Sequence, residues 1–229
     1  MDHLEKEIRK EFQLERIVYF SDAVFAIAIT LLTLEIKIPE IHENISDHAL
    51  AMALVGLLPK FAGFVFSYAM IGLYWSVHHW MFGYVTQFTP KLLRLNLFFL
   101  FFIVLMPFSM GFYGDYMGPE LISAQLKVPM TFYALNLSFV GLTNYFLWNY
   151  ITNPKNKVIE KPIDIYTVKL AITRALIVPG VTLLMVPIAY LTNVLIAVYI
   201  PALIPVAMKI ANKIVSKKYL HSKSKLMVS

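Results

Sequence analysis

The sequence contains no cysteine and few charged residues. Without Cys among its 229 residues, disulfide bonds, thiolate metal ligands and cysteine nucleophiles are excluded. Charged residues make up only 15% of the chain, whereas a soluble globular protein has about 25%. So little charge cannot cover a whole surface with water-compatible side chains. The composition therefore excludes a soluble enzyme and a soluble nucleic-acid-binding domain.

The sequence is rich in hydrophobic residues, which form long apolar segments. Hydrophobic residues make up 59% of the chain, and its mean hydropathy is +0.66. A helix that crosses a membrane needs about 20 mostly apolar residues. Six segments qualify: 17–36, 57–85, 92–113, 128–151, 170–190 and 192–214. We therefore predict an all-α integral membrane protein with six transmembrane helices in one domain over residues 1–215, followed by a basic tail over 216–229.

The last two predicted spans are nearly adjacent and rich in proline. Pro179 and Pro187 fall in the fifth span, and Pro201 and Pro205 fall in the sixth. Proline interrupts the hydrogen bonding of a helix, and broken helices are tolerated in membranes where protein surrounds them. The pattern is compatible with a kinked hairpin and with a partly re-entrant pair.

The basic residues are sorted between the two sides of the membrane. If the N-terminus is cytoplasmic, seventeen of the twenty Lys and Arg residues fall on the inner side, as short cytoplasmic loops require. We therefore predict a multi-pass protein of the cell membrane with both termini cytoplasmic. The net charge of +6 then reflects topology and does not indicate a nucleic-acid partner. The basic residues over 209–225 are expected to lie against anionic lipid head groups.

An apolar stripe runs along the first predicted span. At 100° per residue, Leu31 and Leu34 fall within about 40° of Ile27, and Thr30 flanks them at about 60°. Lipid-facing or packing aliphatic residues would produce this stripe, and so would the wall of an ion pathway.

The same span contains a carboxylate, which is costly inside a membrane and is a candidate functional group. Asp22 and its neighbour Ser21 point roughly 140° and 120° away from the stripe, toward the neighbouring helices. Asp22 could serve as a structural pin between helices or take a direct part in transport.

Partners for Asp22 are available in the second and third spans. His78 and His79 project about 100° apart, so they cannot chelate one metal ion as an i, i+4 pair does. One of these histidines is expected to donate a hydrogen bond to Asp22 or to a backbone carbonyl, and Trp75 or Trp80 can offer an indole N–H. We expect one buried polar cluster made of Arg16, Ser21, Asp22, His78, Arg94 and Asn96.

Several motifs together carry a family resemblance. The first is Arg-x-x-x-Phe-Ser-Asp at residues 16–22, followed by an aliphatic run that ends at Pro39. The others are Tyr-Trp at 74–75 with His-His at 78–79, and Leu-Asn-Leu-Phe-Phe at 95–99 leading to Pro-Phe at 107–108. On these motifs the chain resembles prokaryotic members of the transmembrane protein 175 family of potassium channels. The resemblance covers the first three spans, about half of the sequence.

The resemblance implies a homotetramer in which the first helix of each subunit lines a central pore. Ile27 would form the tightest ring, Leu31 and Leu34 the next apolar rings, and Thr30 the polar contribution near the constriction. The resemblance also implies a packing network behind the pore helix, formed by Arg16, Phe20, Ser21, Asp22, Trp75, His78, His79 and Asn96.

We therefore expect a potassium-selective leak channel in the lipid bilayer, with no catalytic activity, cofactor or fixed metal ion. A ring of isoleucines offers no oxygen ligand, so a permeating ion keeps much of its water, and a narrow apolar ring can close by dewetting. Glu35 and Glu40 would attract cations at the outer rim. The alternative is a proton-coupled secondary transporter that uses Asp22 and a second-span histidine such as His78.

Overall fold

The computed structural model describes residues 3–37, 46–116 and 126–228, and within these ranges the regular structure is entirely helical. The predicted all-α class is therefore confirmed. Two short 3₁₀ turns, Pro154–Asn156 and Ile200–Leu203, accompany the α-helices. The α-helices are α1 (His3–Leu34), α2 (Asp47–Gly56), α3 (Leu58–Phe82), α4 (Pro90–Asp115), α5 (Val128–Thr152), α6 (Ile165–Leu191), α7 (Val194–Val198) and α8 (Ile204–Val228).

Polar side chains fix where helices begin. The Ser46 side chain accepts a hydrogen bond from the backbone N–H of Ala49 at the start of α2. Thr89 does the same for Leu92 at the start of α4, where Pro90 supplies a backbone angle suited to the first turn. These caps satisfy N–H groups that the helix itself cannot pair.

Helices α2 and α3 meet at a bend of 46°. The bend falls at Leu57, two residues before Pro59, and proline lacks the backbone N–H that would continue the hydrogen bonds of α2. Helix α3 accounts for most of the second predicted span, and α2 approaches it at an angle.

Within the described residues, four helical segments are long and apolar enough to cross a membrane, and a fifth qualifies if α2 and α3 are taken as one bent span. The four are Arg9–Leu34, Pro90–Asp115, Ile165–Leu191 and Val194–Leu220. Helix α5 has 25 residues but is not among them. It lies between α4 and α6 and buries polar residues, namely Asn136, Ser138, Thr143 and Asn144.

The last two long helices form a hairpin. Tyr166 near the start of α6 bonds to Ser216 in α8, and Arg174 further along α6 bonds to Asn212, so the two helices run antiparallel. Pro179 lies inside α6, and the sixth predicted span is interrupted between α7 and α8. Helix α8 continues to Val228, so the basic tail is its extension.

Helix α1 lies at one end of the series of packed helices. It packs mainly against α3 and α4, while α5, α6 and α8 follow on the far side of α4. Its buried residues recur every three or four positions, at Ile17, Ser21, Phe25, Ala28 and Leu32. This spacing presents one face of α1 to its own subunit and leaves the opposite face uncovered.

Candidate ion pathway and its packing network

The apolar stripe of α1 lies on its uncovered face. Ile27 is 57% exposed, Leu31 38% and Leu34 73%. Thr30, on the same face, donates its hydroxyl proton to the Ile27 carbonyl oxygen at 2.8 Å. Because that proton is used within the helix, the outward lone pair of the Thr30 oxygen is available to a cation or to water.

Behind the stripe, a buried series of hydrogen bonds joins three helices. Asn96 of α4 donates from Nδ2 to the Ser21 hydroxyl of α1 at 2.9 Å, and Ser21 donates to the Ile17 carbonyl at 2.7 Å. The Asn96 Oδ1 atom lies 2.8 Å from Nε2 of His78 in α3. Since a carbonyl oxygen only accepts, His78 donates from Nε2. Ser21, His78 and Asn96 are all completely buried.

Aromatic rings enclose His78. Its imidazole stacks on Phe82, with ring centroids 4.2 Å apart, and on Phe99 at 5.8 Å, while Phe25 lies at 5.6 Å. The Nδ1 atom of His78 has no hydrogen-bond partner among the described residues. The ring is therefore held in one orientation by stacking and by a single polar contact.

Asp22 has a different partner. The Trp75 indole N–H donates to Asp22 Oδ1 at 2.9 Å, and the ring of His79 stacks on Trp75 at 5.7 Å. Asp22 is half-buried, and Trp75 and His79 are exposed. The Asp22 carboxylate and the His78 imidazole thus have separate hydrogen-bond partners. Within the described ranges, no three His, Cys, Asp or Glu side chains are grouped closely enough to hold a metal ion.

Both arginines of the expected polar cluster lie outside it in the single subunit. The Arg16 and Arg94 side chains are exposed, and the Arg16 guanidinium lies 5.9 Å from the centroid of the Phe12 ring. Phe20 is also exposed. Arg16 and Phe20 lie on the outward face of α1, whereas Ile17 and Ser21 lie on its buried face. Their place in a network between subunits remains a prediction.

Glu35, which follows the C-terminal end of α1, packs against α4. The half-buried Glu35 side chain lies against Gly111, so closely that a Cβ atom at Gly111 would overlap the carboxylate. An added Cβ at Gly111 would therefore require the Glu35 side chain to move aside. The other acidic residue proposed for the outer rim, Glu40, lies outside the described residues.

A charged cluster joins the start of α3 to the neighbouring ends of α1 and α4. Asp115 at the end of α4 accepts from Lys37 at 3.2 Å and from Lys60 at 2.5 Å. Lys37 and Lys60 are therefore paired with one carboxylate, and they join the ends of α1, α3 and α4.

Sequence reasoning missed the polar contacts of α5. Ser67 bonds to Tyr133 at 2.7 Å, Ser109 to Asn136 at 3.0 Å and Ser138 to Thr182 at 2.8 Å. These contacts join α5 to α3, α4 and α6 in turn. The available signal was the density of Asn, Ser and Thr inside a predicted span, which indicates an inward-facing helix.

Comparison with known proteins identifies the family. The profile described as endosomal/lysosomal potassium channel TMEM175 matches residues 16–107. A potassium channel of Streptomyces collinus is 34% identical over 60% of this chain and 64% of its own length. One of Chamaesiphon minutus is 31% identical over 68% of this chain and 74% of its own. The endosomal/lysosomal proton channel TMEM175 of Gallus gallus is 33% identical over 58% of this chain but only 28% of its own length.

The fold agrees with the sequence matches. A crystal structure of a lysosomal potassium-selective channel TMEM175 homolog from Chamaesiphon minutus superimposes with a TM-score of 0.70 and 25% identity. The superposition covers 88% of this chain and 100% of that one. On this combined similarity of sequence and fold, the protein belongs to the TMEM175 family, whose members are ion channels and not enzymes.

Proposed function

We propose that this protein is the subunit of a potassium-selective leak channel in which four copies surround a central pore lined by α1. The observation that carries the proposal is the division of α1 into two faces. One face is packed and hydrogen-bonded to α3 and α4, and the other exposes Ile27, Thr30, Leu31 and Leu34. A face held in one direction by its own subunit can form the wall of a shared pathway.

In this arrangement, Ile27 forms the constriction. Four isoleucine side chains around an axis supply no oxygen ligand, so a cation passes while it keeps much of its water. Potassium holds its hydration shell less tightly than sodium, which favours its passage. Thr30 lies about one turn further along α1 and can offer a ring of hydroxyl oxygens. The apolar rings of Leu31 and Leu34 can empty of water and so close the pathway.

The buried hydrogen bonds of Ser21, Asn96 and His78 have a positioning role in this proposal. A rotation of α1 about its axis would move Ile27 off the pore and would separate Ser21 from Asn96. Because unpaired buried polar groups are costly, the network opposes that rotation. The Trp75 bond to Asp22 opposes it from a second side.

The proposed setting is the cell membrane, with six spans and both termini cytoplasmic. Six helices of at least 25 residues support the six spans, and the asymmetry of Lys and Arg supports the orientation. Attraction of cations by Glu35 and Glu40 at the outer rim belongs to the same proposal.

Replacement of Ile27 by Asn tests the constriction. Asparagine is similar in size and adds amide ligands, so Ile27→Asn is expected to lower the potassium-to-sodium permeability ratio toward unity in liposome flux assays. The matched control is Leu184→Asn on α6, another half-exposed residue of a spanning helix that packs away from α1. An unchanged ratio in assembled Ile27→Asn protein would remove Ile27 from the constriction.

A proton-coupled transporter is the second candidate, because vertebrate relatives such as that of Gallus gallus are named proton channels. A relay would need proton transfer between Asp22 and His78. In the single subunit these residues hydrogen-bond to Trp75 and to Asn96 respectively. Potassium flux that persists without any pH gradient favours the channel, whereas flux that is saturable and driven by a pH gradient favours the transporter.

A further inference from the structure

A long groove lies between α6 and α8, far from the candidate pore helix. Its volume is about 970 Å³, and its walls are residues 165–177 of α6 and 207–219 of α8. Helix α6 packs between α5 and α8, so the groove lies at the opposite end of the series of packed helices from α1. It opens on a surface that the pore proposal leaves facing the bilayer.

The two ends of the groove differ in chemistry. At the end where α6 begins, Lys169 and Lys218 stand on opposite walls beside Tyr166 and Tyr219. The Tyr166 and Tyr219 rings lie 5.2 Å apart, and Tyr166 bonds to Ser216 at 2.8 Å, which joins the two walls. Tyrosine is typical of the membrane interface, where its ring is buried and its hydroxyl is hydrated.

The opposite end is apolar. Its walls are formed by Ile177 of α6 and by Ala207 and Ile210 of α8. The small side chain of Ala207 leaves space in the groove that a larger side chain would fill. The walls span about 18 Å at 1.5 Å per residue, close to the thickness of about 15 Å for one leaflet of the hydrocarbon core. The groove therefore matches one lipid tail in length and has its charged end at the depth of a head group.

We propose that this groove binds an anionic phospholipid, with the phosphate between Lys169 and Lys218 and one acyl tail along the apolar wall. Among the described residues, no ion pair involves Lys169 or Lys218. Asp164 caps α6 by accepting from the Thr167 N–H, and Arg174 bonds to Asn212 at 3.0 Å. The site depends on the protein being membrane-embedded and does not depend on ion conduction.

Charge complementarity selects this occupant over a second copy of the protein. Two copies meeting through this face would bring four lysines together, and in the part of the chain that the structure describes no carboxylate lines the groove. A zwitterionic lipid would fill the apolar wall but would pair the lysines less well. Each basic residue near an anionic surface contributes about a fivefold gain in affinity. The loss of both lysines is therefore expected to weaken binding about 30-fold.

The test is native mass spectrometry of the purified full-length protein with phosphatidylglycerol or with phosphatidylcholine of the same acyl composition. The double variant Lys169→Gln with Lys218→Gln is compared with a control, Lys161→Gln with Lys217→Gln, whose residues lie on the same side outside the groove. Ala207→Phe provides an independent variant that fills the apolar end and keeps both lysines. Inorganic phosphate at matched concentration distinguishes a head group from a free anion.

The proposal expects wild-type and control proteins to retain phosphatidylglycerol in preference to phosphatidylcholine, and the double lysine variant to lose that preference. It also expects Ala207→Phe to lower retention and inorganic phosphate to leave it unchanged. Equal retention by the double variant and the control overturns the proposal, as does displacement of the lipid by phosphate alone. These outcomes are read without any ion flux, so they are separate from success or failure of the proposed channel function.

Discussion

Asn96 is the residue on which the position of α1 depends most. It donates to Ser21 of α1 and accepts from His78 of α3, so a single side chain of α4 connects three helices. All three groups are fully buried, so water cannot readily replace a lost partner. The energetic importance of Asn96 therefore lies in the groups that its removal would leave unpaired.

Replacement of Asn96 by Ala is expected to lower the thermal stability of the detergent-solubilised protein. Two buried groups, the Ser21 hydroxyl as an acceptor and the His78 Nε2–H, would lose a partner, at about 1–3 kcal/mol each. Asn212→Ala is the control, because Asn212 bonds to the exposed Arg174 and its loss should cost about 0.5 kcal/mol or less. Equal melting temperatures for the two variants would show that the buried hydrogen bonds do not hold α1.

At the residue scale, the sequence predicted which side chains form the polar network better than it predicted their hydrogen-bond partners. A carboxylate in a span, two histidines and an asparagine at one depth indicated a polar network. Which histidine faced inward depended on the rotation of α3, and the sequence left open whether Asp22 would meet a histidine or a tryptophan. Arg16 was expected to join the buried cluster, but its side chain is exposed in the single subunit.

Among the helices, α5 shows how a central position changes composition. It packs against α4 and α6 and carries polar side chains that bond to both. A helix surrounded by protein does not need a lipid-compatible surface, so it can be less hydrophobic than a lipid-facing span. Its length predicted a span, while its contacts could not be derived from hydropathy alone. The bend before α3 was better marked, since Pro59 follows it closely.

Gly141 allows the close approach of α5 and α6. A Cβ atom there would lie 2.9 Å from Cγ of Pro179 and 3.0 Å from the Tyr74 hydroxyl. The proline ring cannot move aside by a rotamer change, so Gly141→Ala is expected to separate the helices and to cost about 1–3 kcal/mol, measured as a lower melting temperature.

Gly180 offers a matched control on the neighbouring helix. An added Cβ at Gly180 would meet no atom within 4 Å. Gly180→Ala should therefore be neutral or stabilising by about 0.5–1 kcal/mol, because alanine favours the helix. If both alanine variants melted at the same temperature, close packing at Gly141 would not be a source of stability.

At the scale of the whole molecule, the proposed channel requires that copies of α1 meet around one axis. The sequence predicted the stripe, and the single subunit leaves that stripe uncovered. The number of copies cannot be derived from one subunit, because periodicity defines a face but not the symmetry that covers it. The four-fold arrangement therefore rests on the family resemblance, and the exposed face supports only that copies of α1 meet.

Cross-linking in the membrane tests this arrangement directly, because the sequence has no native cysteine. Leu34→Cys places a single thiol on the exposed stripe, and Leu184→Cys places one on the far side of the subunit. A short thiol-reactive cross-linker should join Leu34→Cys subunits efficiently and Leu184→Cys subunits poorly. The reverse order would place α1 at the periphery.

The central claim is that the protein conducts potassium selectively and without coupling to protons. Its most direct measurement is the reversal potential of the purified protein in a planar bilayer, with potassium on one side, sodium on the other and equal pH. The account predicts steady currents without a proton gradient and a reversal potential displaced from zero in the direction of potassium selectivity. A reversal potential at zero, or an absence of current until a pH gradient is applied, would contradict it.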